Sequence, residues 1–190
     1  GVEQRAALSD KAGLTPPHVL VMTATPIPRT VAMTVFGDLE TSTLTELPAG
    51  RAPIQTNVVP LVDRPGWIDR VWARVREEVE KGHQVYVVCP RIGGDDAPTA
   101  PADGDDSRPT AAVEEVAPML AEGPLHGLRV EMLHGRLVPD RKDDVMRRFA
   151  AGEIDVLVST TVIEVGVDVP NATVMVVMDA DRFGVSQLHQ

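Results

Sequence analysis

Short β-branched runs alternate with amphipathic stretches along most of the 190 residues. Five runs predict buried strands: 18–22 (His-Val-Leu-Val-Met), 84–89, 128–133, 155–159 and 173–178. Most lack polar alternation, the pattern of strands covered on both faces of a parallel sheet. Between them, 67–81 places Ile68, Val71, Trp72, Val75 and Val79 at helical spacing, and Gly82 ends the pattern. A second helix is predicted over about 111–120. A third starts at Pro139 and Asp140 and ends near Gly152, with Val145, Met146 and Phe149 on its apolar side. Strand and helix in strict alternation predict an α/β fold with a mostly parallel sheet flanked by helices.

Two stretches interrupt this rhythm. Residues 37–53 contain Leu47-Pro48-Ala49-Gly50-Arg51-Ala52-Pro53, a Pro/Gly segment of the kind that joins domains. Residues 93–110 are mostly Gly, Asp, Ala, Pro and Thr, with almost nothing to bury, and read as a mobile surface insertion. The ends look cut: a lone strand precedes the linker, and Ser186-Gln187-Leu188-His189-Gln190 reads as the opening of a helix. We therefore expect a piece of a longer protein.

Composition narrows the class. At 43% apolar and 24% charged residues the chain is globular rather than disordered. A single cysteine, Cys89, forms no internal disulfide, so a reducing, cytoplasmic setting is expected. No apolar run approaches the roughly 20 residues that span a bilayer. With 28 acidic against 18 basic side chains the net charge is −10, which argues against wrapping nucleic acid with the whole surface. A local basic face stays open, because five of the aspartates fall within residues 95–106.

Candidate chemistry gathers where apolar runs end. The first run leads into Thr23-Ala24-Thr25, then Pro26 and Pro28. Ligands of open parallel sheets bind at the carboxyl ends of strands, where small hydroxyls can meet a phosphate, a water or a carboxylate. A strand-to-helix turn capped by threonine explains the same residues. The run at 155–159 ends in Ser159, Thr160 and Thr161, followed by Glu164, Gly166, Asp168 and Pro170. Gly166 permits an unusual turn, and Asp168 could accept from a ribose hydroxyl or simply satisfy backbone donors. The third constellation is His134-Gly135-Arg136, ahead of Arg141, Lys142, Arg147 and Arg148. Asp143 and Asp144 precede the last two arginines by four residues, the geometry of ordinary surface ion pairs. There is no GxxxxGK[ST] phosphate loop, no Cys/His metal cluster and no Gly-x-Ser-x-Gly elbow. Cys89, at the end of an apolar run read as mid-sheet, reads as core rather than nucleophile.

Taken in order, these segments resemble the motor of superfamily-two helicases, specifically the RecG type of ATP-dependent DNA helicase. VMTATPIPRTVAMTVFGDLETSTLTELPAGRAPI resembles motif III with the linker between two RecA-like lobes, and QVYVVCPRI resembles motif IV. The stretch from Leu133 to Gln190 resembles the next strand and helix, motif V and the approach to motif VI. GVEQR resembles the residues just after the DEQH box of motif II. The resemblance implies a P-loop NTPase-like fold, with residues 1–50 the end of a first lobe plus linker and 51–190 a second lobe truncated at motif VI. The insertion at 93–110 carries no catalytic expectation.

By position, the resemblance gives Thr23 and Thr25 a role in coupling nucleotide state to DNA grip. It puts Gly166, Asp168 and Gln190 on the nucleotide side. Thr160, Thr161, Glu164, His134, Gly135 and Arg136 fall on the DNA side. It further implies ATP with Mg2+ as cofactor, whose phosphate-loop and magnesium residues lie upstream, and branched DNA (forks, Holliday junctions) as partner, in repair and recombination. It implies that this chain alone is inactive, being complete only with the rest of the first lobe and a DNA-recognition domain. Two other readings fit: the motor of a transcription-repair coupling translocase, which shares the TATPIPRT segment, and a non-catalytic α/β binding domain.

Overall fold

The computed structural model describes residues 18, 20, 22, 42, 44, 46, 52–94, 110–160 and 168–189. The chain divides into two compact units, Gly1–Glu46 and Leu47–Gln190. In the first, the six described residues lie outside helices and strands and are exposed; Leu20 and Met22 are both 80% exposed. The expected buried strand 18–22 is therefore not seen at His18, Leu20 or Met22, and Val19 and Val21 lie outside the described residues. A lone apolar strand is stable only when neighbours pair with it and cover it, and no described residue of this unit forms a second strand.

The second unit carries the layered fold. Its elements are α1 (Trp67–Glu80), β1 (Gln84–Val88), α2 (Val113–Glu122), β2 (Val130–Leu133), α3 (Pro139–Ala150), β3 (Val156–Ser159), β4 (Ala172–Val177), a 3-10 turn (Ala180–Arg182) and α4 (Val185–His189). The four strands are parallel, in the order β2-β3-β1-β4. Each expected element of this unit is present, with ends shifted by one or two residues. Strand β4 departs from the expected double cover: it is an edge strand, and Thr173 and Met175 are exposed.

Alternation along the strands builds two cores. Val85, Val87, Val156 and Val158 pack with Trp72 and Val75 of α1 and with Val113, Val116, Ala117 and Leu120 of α2. On the other face Leu157 and Leu133 meet Val145 and Phe149 of α3, and Tyr86 sits edge-on to Phe149 at 4.9 Å between ring centroids. Each such side chain, fully buried, contributes about 1.5–3 kcal/mol.

Polar latches close the amino-terminal edge of the sheet. Buried Gln84 donates from Nε2 to the carbonyls of Phe149 (2.6 Å) and Ile154 (2.7 Å), and Asn171 donates to its Oε1. Glu78, 5% exposed, accepts from His83 Nδ1 (2.8 Å), Thr173 Oγ1 (2.9 Å) and Lys81 Nζ (3.1 Å), and Arg74 lies 2.7 Å away. These contacts tie the end of α1 to the edge strand β4. On the helix α3 surface, Arg147 pairs with Asp144 at three residues' spacing. Arg148 departs from the expected helix pairing and reaches Glu131 on β2 at 3.1 Å, because the edge strand offers a carboxylate within its span.

The Glu78 contacts make a pH prediction. Hydrogen bonds from His83, Thr173 and Lys81, in that order, lower its carboxyl from 4.5 to about 2. A group held below its unfolded value stabilises the fold above that unfolded value, and its contribution disappears as pH falls through the folded one. Urea midpoints of the wild type should therefore fall more steeply between about pH 4.5 and about pH 2 than those of Glu78→Gln. Parallel pH profiles for the two proteins would refute this.

Candidate functional site

Parallel pairing brings all four strands to an end at one edge: Val88 lies opposite both Ser159 and Val177, and Leu133 opposite Ser159. That edge is the expected ligand side of an open parallel sheet. It collects Cys89 and Arg91 after β1, His134-Gly135-Arg136 after β2, Ser159 and Thr160 at the end of β3, and Asp179 after β4.

The hydroxyls of Ser159 and Thr160 are buried without a hydrogen-bond partner. Leaving a buried hydroxyl unsatisfied costs about 1–3 kcal/mol, so this is where the edge has unused hydrogen-bonding capacity. Beside them His134 is buried, its Nδ1 accepting from the Arg136 backbone N–H at 3.3 Å and its Nε2 lying 3.8 Å from Glu114 Oε1. Arg136 Nη1 donates to the Gly93 carbonyl at 3.1 Å. A Cβ added to Gly135 would meet nothing within 4 Å, so the space over that turn is open.

The described ends of the 93–110 segment are fastened here. Arg91 donates from Nε to Thr110 Oγ1 (2.8 Å) and from Nη2 to the Thr110 carbonyl (2.9 Å). The Ala111 N–H donates to Asp179 Oδ2 at 2.6 Å. Asp179 adopts a left-handed backbone, φ 47°, a conformation that aspartate tolerates better than most residues. Residues 95–109 lie outside the described residues.

The structure thus brings His134, Gly135, Arg136 and Thr160 to one edge, at the adjacent ends of β2 and β3. Asp168 is exposed, four residues before β4. Burial raises the Tyr86 phenol, and the Asp168 charge raises it further. Thr23, Thr25, Thr161, Glu164, Gly166 and Gln190 lie outside the described residues. Sequence reasoning missed Arg91, Gly93, Glu114 and Asp179. The signal for Glu114 was present, since acidic residues in a helix's first turn favour its positive end; the others depend on contacts between strand ends. Among the described residues, no cluster of three or more His, Cys, Asp or Glu side chains could hold a metal ion. Nor is any described helix long and apolar enough to cross a membrane.

Residues 70–190 match the family described as helicase conserved C-terminal domain. Over its whole length the chain is 59% identical to the ATP-dependent DNA helicase RecG of Mycobacterium leprae (strain TN). It is 61% identical to that of Mycobacterium tuberculosis (strain ATCC 25618 / H37Rv) and 46% identical to that of Bacillus subtilis (strain 168). It covers 25%, 26% and 26% of those proteins, so it spans about a quarter of the length of the curated relatives it matches. Among solved structures, RecG bound to a three-way DNA junction matches with a TM-score of 0.68 and 39% identity, covering 92% of this chain and 21% of that one.

Cys89 makes this edge testable without a ligand. Burial and then the Asp179 charge push its thiol up to about 12, so thiolate is scarce at pH 8 and reagent access is blocked. A disulfide reagent should leave Cys89 unmodified in the native chain and modify it fully in urea. Rapid modification of the native chain would contradict this packing.

Proposed function

The chain belongs to the helicase conserved C-terminal domain family, and from that premise we propose that it is part of the motor of an ATP-dependent DNA helicase of the RecG type. Residues 51–190 would be the second RecA-like lobe up to motif VI, and residues 1–50 the end of the first lobe with its linker. The substrate would be branched DNA, such as forks and Holliday junctions, remodelled in repair and recombination. Similarity along the entire chain to RecG helicases supports this reading, as does the likeness to a RecG structure holding a three-way junction.

The observation that carries the DNA side is the unpartnered Thr160 hydroxyl beside the open turn at Gly135. A sugar-phosphate backbone docking at this edge would give that buried hydroxyl an acceptor once the edge opens to admit it. It also uses the open space, where a side chain at position 135 would stand in its way. His134 and Arg136 flank the same track, and Thr161 and Glu164 of the following segment would continue it. The exposed Asp168 carboxylate suits a ribose hydroxyl of ATP, with Gly166 and Gln190 as its companions on the nucleotide side. Magnesium and the phosphate contacts would be supplied by first-lobe motifs of the complete helicase. Thr23 and Thr25 would relay nucleotide state to DNA grip, so that lobe movement during hydrolysis advances the DNA. With no GxxxxGK[ST] loop in its sequence to position a transferring phosphoryl group, this chain alone is expected to turn over no ATP.

Two substitutions in the complete motor protein test the two sides. Thr160→Ala should lower DNA-stimulated ATPase more than DNA-independent ATPase; equal losses would count against a DNA-side position. Asp168→Ala should weaken ATP binding by about 1.5–3 kcal/mol, the worth of a hydrogen bond to a charged group. Unchanged nucleotide affinity, measured by titration, would remove the ribose assignment.

A further inference from the structure

We propose that Glu114 is a positioning residue for DNA, acting through His134 on the 134–136 turn; this rests on the reading of that turn as a DNA contact. Four residues from three segments close a ring. Gly93, after β1, packs against the Glu114 side chain so closely that a Cβ there would lie 2.5 Å from Oε2. Glu114, in the first turn of α2, places Oε1 3.8 Å from His134 Nε2. His134 Nδ1 accepts from the Arg136 backbone N–H at 3.3 Å, and Arg136 Nη1 returns to the Gly93 carbonyl at 3.1 Å.

The protonation pattern gives the ring its direction. With the Arg136 N–H donating to Nδ1, the proton of the neutral imidazole is on Nε2, the nitrogen that faces the carboxylate. At 3.8 Å, beyond hydrogen-bond distance, the Glu114 charge acts on that proton through space and so favours the tautomer that keeps Nδ1 an acceptor for the Arg136 backbone. Gly135 brings no side chain to steady the turn, and a second backbone closure runs from the Leu137 N–H to the His134 carbonyl at 3.2 Å. The requirement for glycine at position 93 has the same origin. Its φ of +149° and the Glu114 side chain leave no room for another residue.

Charge alone and positioning predict opposite signs, which makes the proposal decidable. The Glu114 side chain is 43% exposed on a DNA-facing edge, so as a bare negative charge its removal should tighten binding. As a positioning residue its removal should weaken it. The experiment measures forked-DNA affinity of the complete motor protein over a salt series for Glu114→Gln, His134→Ala and the double variant, with melting midpoints alongside. Expected are about three- to ten-fold weaker binding by Glu114→Gln and a double variant no weaker than His134→Ala. The slope of affinity against salt should stay at the wild-type value, because Glu114 touches no phosphate. Glu114→Asp, which draws the charge back by one carbon, should also bind more weakly at an unchanged melting midpoint, and it answers the question if the glutamine variant does not fold. Equal or tighter binding by Glu114→Gln, unchanged binding by Glu114→Asp, or additive losses in the double variant would overturn the proposal. A His134→Ala variant that binds DNA normally would instead remove the reading of the turn on which it rests.

Discussion

Every feature of the second unit depends on the parallel pairing of β3 with both β1 and β2. β3 is buried along its whole length, and its register places Val88, Leu133 and Ser159 side by side. Parallel neighbours must each be reached by a crossover, so helices are obliged to cover the faces and the strand exits are obliged to share one edge. The arrangement concentrates polar loops at that edge without any of them having to find the others by long-range attraction. What the apolar interior of β3 fixes is thus the address of Ser159 and Thr160 as much as the stability of the sheet.

The two edges of the sheet solve different problems. At the amino-terminal edge, Gln84 and Glu78 are saturated with partners from α1, β4 and the α3–β3 connection. Such contacts rigidify and leave nothing for a ligand to satisfy. At the carboxyl edge, two buried hydroxyls lack partners and one aspartate holds a left-handed backbone. A buried hydroxyl without a partner keeps hydrogen-bonding capacity that a ligand could use. The two edges of one small sheet thus differ in how fully their polar groups are satisfied.

The sequence made the second unit's elements legible because their signals are local: uninterrupted β-branched runs, a helix with apolar residues on one side, and Gly82 and Pro139 as boundaries. It also placed His134, Gly135, Arg136, Ser159 and Thr160 at strand ends, since topology alone sends those ends to one edge. Edge status was less legible. Val174 and Val176 face the core while Met175 is 58% exposed, and a run of apolar residues does not report which side is covered. Pairing across segments was illegible for the same reason. Arg148 chose Glu131 over its helix neighbours, and Glu114 met His134, through distances that exist only once the sheet has formed.

The fastening of Gly94 and Thr110 by Arg91 has a consequence for how this lobe can vary. One guanidinium reaches both roots, donating to the Gly94 carbonyl at 3.5 Å and to Thr110 at 2.8 Å. The ends of the intervening segment are thereby held by the sheet rather than by the segment itself. The entropic cost of closing a loop on fixed ends rises only logarithmically, about 0.6 kcal/mol for each doubling of its length. With the ends held, a change of chain length between those roots would act on the fold mainly through this small closure term. A lobe built this way can acquire new sequence beside the carboxyl edge of its sheet while the strands that define that edge remain unchanged.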